Sequence, residues 1–410
     1  MPQPAMDDHF KPRDRNDVEA AVQWALGGGK SLEIIGHGSK RALGRPAQYD
    51  ATLDISALSG VTLYEPQELV LSAKAGTPLA EIDALLAAQG QALAFEPMDY
   101  GPVLGEPEGR STIGGVIAAN LSGPRRIKVG TARDHFLGLT AVSGRGETFK
   151  SGGRVVKNVT GYDLCKLLAG SWGTLGIMTD VTLKVLPQPE MEATLILFGL
   201  NEAEAGQAMA KAMGSSFDVS GAAYLPDYLA ARLDGLGRSE SATLLRLEGV
   251  KPAVAHRTEG LERELRPCPA MAKLDERLSR QLWRAIRDAA PLGADTEAGA
   301  RPLWRISAAP SAASGIVARI SPASQLFLDW AGGLIWVAPP ATPDCGAAAI
   351  RRAMAEIGGH ATLVRGPAAA RATIDVFEPA EGALGALTKR VKESFDPKGV
   401  LNPGRMWAGI

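Results

Sequence analysis

Ser111-Thr112-Ile113-Gly114-Gly115-Val116-Ile117-Ala118-Ala119-Asn120, running on to Ser122-Gly123, is one of three glycine-rich segments in the first 180 residues. The other two are Gly36-His37-Gly38-Ser39 and Gly170-Ser171-Trp172-Gly173-Thr174-Leu175-Gly176-Ile177. All three are read as loops at strand ends. Glycine lets the main chain approach a ligand closely and adopt positive φ, so that successive N–H groups converge on an anion. A pyrophosphate needs many such donors. The missing side chains also leave a slot for a flat ring, which Ile113, Val116, Ile117 and Ile177 could line. Thr112, Asn120 and Ser122 could add polar contacts. One such loop alone reads as a tight turn. Three in this order and spacing read as a cradle for a dinucleotide.

Working outward, strands and helices alternate around these loops. Asn16 or Asp17 can cap a helix running to about Leu26, which Gly27-Gly28-Gly29 ends. Short β-like runs at 31–35 and 69–75 each meet a glycine turn. Pro78 suits the first turn of a helix over 79–89. The spacing predicts a hairpin from 137–142 to 148–149 around Gly144-Arg145-Gly146, a helix over 160–169 and a strand within 174–186. Pro187 and Pro189 then break the pattern, and a boundary falls near 188–190. Beyond it, strands are expected at 194–198, 242–247, 303–307, 325–329, 334–337 and 361–364, with helices at 202–213, 274–289 and 347–357. That texture fits an antiparallel sheet with helices on one face. The tail, 384–395, is a helix stopped by Asp396-Pro397-Lys398-Gly399.

Composition narrows the function classes. The 410 residues are 45% hydrophobic and 22% charged, with 44 basic and 45 acidic side chains and a net charge of −1. Such a chain lacks the broad basic field of a nucleic-acid binder. Cys165, Cys268 and Cys345 are unclustered, which fits reduced thiols and neither a disulfide framework nor an iron–sulfur site. No apolar run is long enough to span a membrane, and the polar first fifteen residues lack the apolar core of a signal peptide. Gly28-Gly29-Lys30-Ser31 imitates the end of a P-loop, but Trp24 stands where its first glycine should be. Ala169-Gly170-Ser171-Trp172-Gly173 lacks the first glycine of a nucleophile elbow. No G-x-G-x-x-G occurs, because Arg41 follows in the first loop where glycine is required. The five histidines are mutually remote, so no metal site is expected.

The combination resembles the vanillyl-alcohol-oxidase type of FAD-binding domain, also called PCMH-type. The likeness is closest in Lys157-Asn158-Val159-Thr160-Gly161-Tyr162-Asp163-Leu164 through Gly176-Ile177, and in the tail Phe395-Asp396-Pro397-Lys398-Gly399-Val400-Leu401-Asn402-Pro403-Gly404-Arg405-Met406. Leu121-Ser122-Gly123-Pro124-Arg125-Arg126 and Asp329-Trp330-Ala331-Gly332-Gly333 are similar to the FAD-binding E subunits of bacterial glycolate oxidases. The resemblance implies an α+β protein. A two-lobed FAD-binding domain would span 1–188, an α+β cap 189–370, and 371–410 would return to the FAD domain. It implies that Gly36, His37, Gly38 and Ser39, with Thr112, Ile113, Gly114 and Gly115, hold the pyrophosphate. Asn120, Ser122, Gly123 and Gly130 would pass near the flavin and ribityl, Gly176 and Ile177 near the adenine, and Asn402 and Arg405 near the flavin face. Relatives that attach FAD covalently use a histidine in the first loop. That position matches Ser39, so FAD is expected to be non-covalent.

The resemblance further implies glycolate oxidation within a complex. Oxidising a 2-hydroxy acid needs a base, a cation for the carboxylate and a hydride acceptor. Arg125, Arg126, Arg305 and Arg405 are candidates for the carboxylate clamp, against ordinary surface or interlobe ion pairs. The base is missing. Related catalytic dehydrogenases carry cap motifs of the types H-x-G-D-G-N-x-H and G-E-H-G, whereas 190–370 holds only His256 and His360. The expectation is an FAD-bearing accessory subunit, cytoplasmic and at most peripheral at the inner membrane. A sister flavoprotein would oxidise the acid, and an iron–sulfur subunit would carry the electrons away. The alternatives are a self-sufficient FAD-dependent D-2-hydroxy-acid dehydrogenase and a scaffold that has lost its flavin. Trp283, Trp304, Trp330 and Trp336 are either core or a subunit interface.

Overall fold

The computed structural model describes residues 8–155, 161–236, 240–266, 268 and 270–409. Lys157, Asn158, Val159 and Thr160, part of the stretch that carried the resemblance, lie outside the described residues. The first helix, Arg15–Gly28, is capped by the Asp14 carboxylate accepting from the Asp17 amide, and Gly29 closes it in the left-handed conformation. The cap thus lies two residues before Asn16, because Asp17 is engaged by the Arg13 amide and guanidinium.

Two sheets occupy the N-terminal half. Three parallel strands run in the order Asp8–Phe10, Ala51–Asp54, Leu32–Ile35. Five antiparallel strands follow the order Val61–Glu65, Val70–Lys74, Ile177–Lys184, Phe136–Val142, Thr148–Gly152. The central strand starts fully buried. Towards its end, buried residues alternate with half-buried ones, as a strand with one covered face requires. The hairpin around Gly144-Arg145-Gly146 forms with Val142 opposite Thr148. The helix that follows is short, Leu164–Leu168, because the Asp163 carboxylate caps it by accepting from the Lys166 amide.

A single antiparallel sheet of eight strands fills the next region. Its order is Met271–Leu274, Met191–Phe198, Ala242–Gly249, Gly221–Leu225, Gln325–Asp329, Leu334–Ala338, Leu303–Ser307, His360–Arg365. Helix Glu276–Arg287 buries Ser279, Leu282, Trp283 and Ile286, spaced as one helical face, and packs on Met191–Phe198. Its start falls after Leu274 because Asp275 caps it and Leu274 belongs to the edge strand. Trp283, Trp304, Trp330 and Trp336 are all buried, none more than 2% exposed, so the structure makes them core rather than a free interface. The strands at 51–54, 61–65 and 221–225 were not evident from sequence. Gly-Ala-Ala-Tyr-Leu at 221–225 is small and featureless, yet every residue of it is buried between neighbouring strands.

The tail comes back to the N-terminal half. Helix Gly382–Phe395 ends at Asp396, and Leu401 forms a parallel bridge with Leu32. This return brings Arg405 against the first glycine loop, with its carbonyl accepting from the Arg45 amide at 2.9 Å.

Candidate functional site

A pocket opens where strand Leu32–Ile35 runs into the first glycine loop. Gly36, His37, Gly38 and Ser39 line it, together with Thr112, Gly114, Gly115, Gly176 and Ile177. Among the described residues, none accepts a hydrogen bond from the main-chain N–H groups of His37, Gly38 or Ser39. Gly36 is required for close packing: a Cβ there would stand 2.6 Å from Thr112 Oγ1.

Two buried cations face the same space. Lys40, 8% exposed, donates to Ser39 Oγ at 3.1 Å and to Ser111 Oγ at 3.3 Å. No carboxylate pairs with it among the described residues. Burial pushes its ammonium down to about 8, with Asp99 opposing and Arg405 assisting. Arg405 donates to the Lys40 carbonyl at 3.0 Å, and its Nε has no partner. Burial lowers its pKa as well, while Tyr49 and Glu33 oppose the shift. Arg41, by contrast, is paired with Glu33, its Nε 2.9 Å from Oε1. Unpaired buried cations beside open amides call for an anion, and a pyrophosphate meets that need. Apolar residues also line the pocket, among them Ile34, Ile35, Ile55, Ala118, Trp172 and Met178, which suits a flat base. These residues fit the diphosphate and one ring of FAD.

The second loop faces the cavity in a different way from the expectation. Thr112 caps helix Ile113–Ala119, its hydroxyl accepting from the Gly115 amide at 3.3 Å. The amides of Ile113 and Gly114 donate to Thr77 and Ala75 carbonyls at 3.0 and 2.8 Å. The donors at Ile113, Gly114 and Gly115 are therefore spent inside the protein, whereas those at residues 37–39 are open. Ile113 is fully buried.

Ile113, Asn120, Ser122, Gly123, Gly130 and Asn402 are not among the residues lining this cavity. Asn402 ties the tail to the loops, accepting from the Ile34 amide and donating to the Trp172 carbonyl, both at 2.9 Å. Asn120 accepts from the Arg133 amide and Ser122 from the Ala132 amide, both at 3.0 Å. Gly130 closes the short helix Arg126–Val129. Gly123 packs on the Glu96 main chain, where a Cβ would lie 2.5 Å from the carbonyl oxygen. Lys40 was the residue that sequence reading missed. Its signal was a cation placed directly after the Gly-His-Gly-Ser turn.

A second polar centre lies at the seam between the eight-stranded sheet and residues 95–126. Arg246 grips Glu96 with two bonds of 2.8 and 2.9 Å, and Arg125 lies 3.2 Å from the Glu248 carboxylate. Trp330 donates from its indole to the Gly123 carbonyl at 2.9 Å. Arg126 and Arg305 stack on its ring, 4.2 and 4.9 Å from the centroid. Asp329 is buried beside it and accepts from the Trp330 amide at 2.7 Å. Burial pushes this carboxyl up to about 7; the Trp330 amide and Arg246 pull it down, and Glu96 adds to the rise. The structure thus brings Arg126 and Arg305 together and places Arg405 beside Lys40 at the first glycine loop. His256 and His360 are both exposed. His135 is buried, with Nε2 3.0 Å from the Val129 carbonyl and Nδ1 3.3 Å from the Lys184 carbonyl.

A family of FAD-binding domains matches residues 9–152. Glycolate oxidase subunit GlcE of Escherichia coli (strain K12) is 34% identical over 389 residues, covering 95% of this chain and 96% of that protein. Glycolate oxidase subunit GlcD of Bacillus subtilis (strain 168) is 27% identical over 381 residues, covering 84% and 77%. A solved structure of 4-ethylphenol oxidase from Gulosibacter chungangensis superposes with a TM-score of 0.72 at 14% identity, covering 98% of this chain and 91% of that one. The last likeness concerns the fold alone.

Proposed function

This chain belongs to the family of FAD-linked oxidoreductases that includes the glycolate oxidase subunits, and from that premise we propose that it is the FAD-binding accessory subunit of a glycolate-oxidising complex. FAD is its cofactor, and oxidation of hydroxy acids is the chemistry of its relatives. The observation that carries the subunit reading is the end-to-end likeness to GlcE, 96% of whose length is matched.

Bound FAD supplies an acceptor for the hydride of an alcohol carbon. The chain's own residues hold it. Lys40, Arg405 and the first-loop amides neutralise and orient the diphosphate, and the apolar lining excludes water from the ring. Non-covalent attachment follows from Ser39 at the position where a linking histidine would stand. Acid precipitation should leave the yellow colour in the supernatant, and a yellow pellet would refute it.

The expected cap holds only two histidines, His256 and His360, and both are exposed. Its three cysteines are separate free thiols. A sister flavoprotein would therefore take the hydroxyl proton, and an iron–sulfur subunit would carry the electrons on. No described helix is long and apolar enough to cross a membrane. We place the complex in the cytoplasm, at most peripheral to the inner membrane, with glycolate as its substrate.

A self-sufficient dehydrogenase is the second reading, and Asp329 favours it, because a carboxyl titrating near 7 beside two arginines has the protonation range of a general base. A flavin-free scaffold is disfavoured by Lys40 and Arg405, whose buried charges would then have no counterion. An anaerobic glycolate titration separates the three. The accessory subunit stays yellow alone and bleaches only with its partners. A dehydrogenase bleaches alone, and a scaffold binds no FAD.

A further inference from the structure

We propose that the apolar groove lined by the tail helix Gly382–Phe395 and the helix Leu164–Leu168 is the docking site for an amphipathic helix of another subunit, one whose apolar stripe is bordered by acidic residues. The choice of partner rests on the accessory-subunit reading above, and the groove on the geometry of the tail.

The tail helix hides almost nothing from water. Of its 14 residues only Lys392 is buried. Its first six, Gly382-Ala383-Leu384-Gly385-Ala386-Leu387, carry no polar side chain at all. Leu384 is 64% exposed and Leu387 48%. A helix that faces only solvent ordinarily turns polar side chains outward, and a helix of this length is marginal unless an apolar face is packed. Here that face stands open. Leu387 and Val391, one turn apart, line the groove together with Leu167, Leu175, Met406 and Trp407. Leu167 is itself 37% exposed, so the apolar surface continues from one helix to the other.

The polar groups at the groove are already engaged within the chain. The Lys392 ammonium donates to the Thr174 and Leu401 carbonyls and to Asp396. The Thr174 hydroxyl donates to the Ser171 carbonyl at 2.7 Å, and the Trp407 indole to the Glu378 carbonyl at 3.0 Å. An occupant is therefore held by apolar contact, and a contiguous exposed apolar surface of this kind marks an interaction site. Leucines at three- and four-residue spacing are what an incoming helix packs against. Charge at the border selects its chemistry. Lys389 and Arg390 follow the apolar face directly, exposed and without an ion-pair partner among the described residues. Acidic residues beside the apolar stripe of the incoming helix meet them. An anionic bilayer would call for an unbroken border of cations, and Glu381 and Glu393 stand at the two ends of the same helix.

The test is co-purification of the tagged, FAD-loaded chain from cells that co-produce the sister flavoprotein and the iron–sulfur subunit. Wild type should retain a partner subunit, and a photo-crosslinking residue placed at Leu387 should join it through one apolar segment that bears acidic residues. The double variant Leu384→Glu, Leu387→Glu should lower recovery of that subunit about tenfold, and Arg390→Glu about threefold. Val250→Glu, at an exposed apolar residue elsewhere on the chain, should change nothing. Unchanged FAD colour and melting temperature in each isolated variant report an intact fold. Undiminished recovery with the double variant, or a crosslink to a segment without acids, would overturn the groove and leave the subunit reading standing. Wild type that retains neither subunit would sink both. Sedimentation of the isolated chain, and flotation with vesicles of equal parts phosphatidylcholine and phosphatidylglycerol, read the other occupants. A wild-type dimer that the double variant makes monomeric, or vesicle binding that it abolishes, would also overturn the proposal.

Discussion

Lys40 sits in the interior with two hydroxyls as its hydrogen-bond partners, and its charge therefore responds to pH near neutrality. Its folded pKa lies near 8, below the ordinary 10.5, so without FAD the protonated form costs stability below about pH 8. That cost fades as pH rises from 8 towards 10.5. A bound diphosphate restores the charge, and above pH 8 binding must take up a proton. FAD affinity measured by flavin fluorescence should therefore be flat between about pH 6.5 and 7.5 and fall up to tenfold per unit above 8. Lys40→Met should weaken FAD by roughly 10–100-fold, the worth of about 1.5–3 kcal/mol for a charged hydrogen bond, and abolish the pH step. Gly114→Ala should cost about 1–3 kcal/mol in thermal unfolding, because its Cβ would meet the Ala75 Cβ and carbonyl at 2.7 Å. The glycines were legible from sequence as places of close approach. What each one approaches was not: Gly36 and Gly114 pack against protein, while the open donors sit at residues 37–39.

At the scale of elements, the C-terminal helix and the turn after it behave as one unit. Lys392, 5% exposed, donates to the Thr174 and Leu401 carbonyls at 2.7 and 2.9 Å and to Asp396 at 2.7 Å. Asp396 in turn accepts from the Val400 and Leu401 amides at 2.9 and 2.8 Å. Removing one partner of a buried pair leaves an uncompensated charge. Asp396→Ala should cost about 3–5 kcal/mol, read as an earlier urea midpoint. It should also weaken FAD, since Arg405 rides on the same turn. Sequence reading recovered most strands of the eight-stranded sheet because their apolar runs are bounded by polar turns, as in Leu303–Ser307 and Gln325–Asp329. It missed Val61–Glu65, whose residues are only partly buried and so carry little pattern.

For the whole molecule, the seam between the eight-stranded sheet and residues 95–126 depends on Arg246 and Glu96. Burial raises the Glu96 carboxyl, but Arg246 and Arg125 outweigh it and hold the group below its ordinary value. A carboxyl depressed in this way adds stability above its unfolded pKa of 4.5 and loses it as pH falls through the folded value. Arg246→Met should therefore destabilise the protein by about 3–5 kcal/mol at neutral pH, and the gap from wild type should shrink in acid, as thermal unfolding at several pH values would show. Neither residue stood out in the sequence, because 150 positions separate them and nothing local marks the pair. The chain's order of residues by itself determined the local chemistry: three flexible glycine turns, the alternation of apolar runs, and the absence of metal and disulfide patterns, all of which depend on neighbours within a few positions. Only the tertiary structure decided which cations were left without counterions, that Arg405 joins Lys40 while Arg126 joins Arg305, and that the four tryptophans are core. Those outcomes depend on burial and on contacts between distant segments, and charge pairing acts through space rather than along the chain.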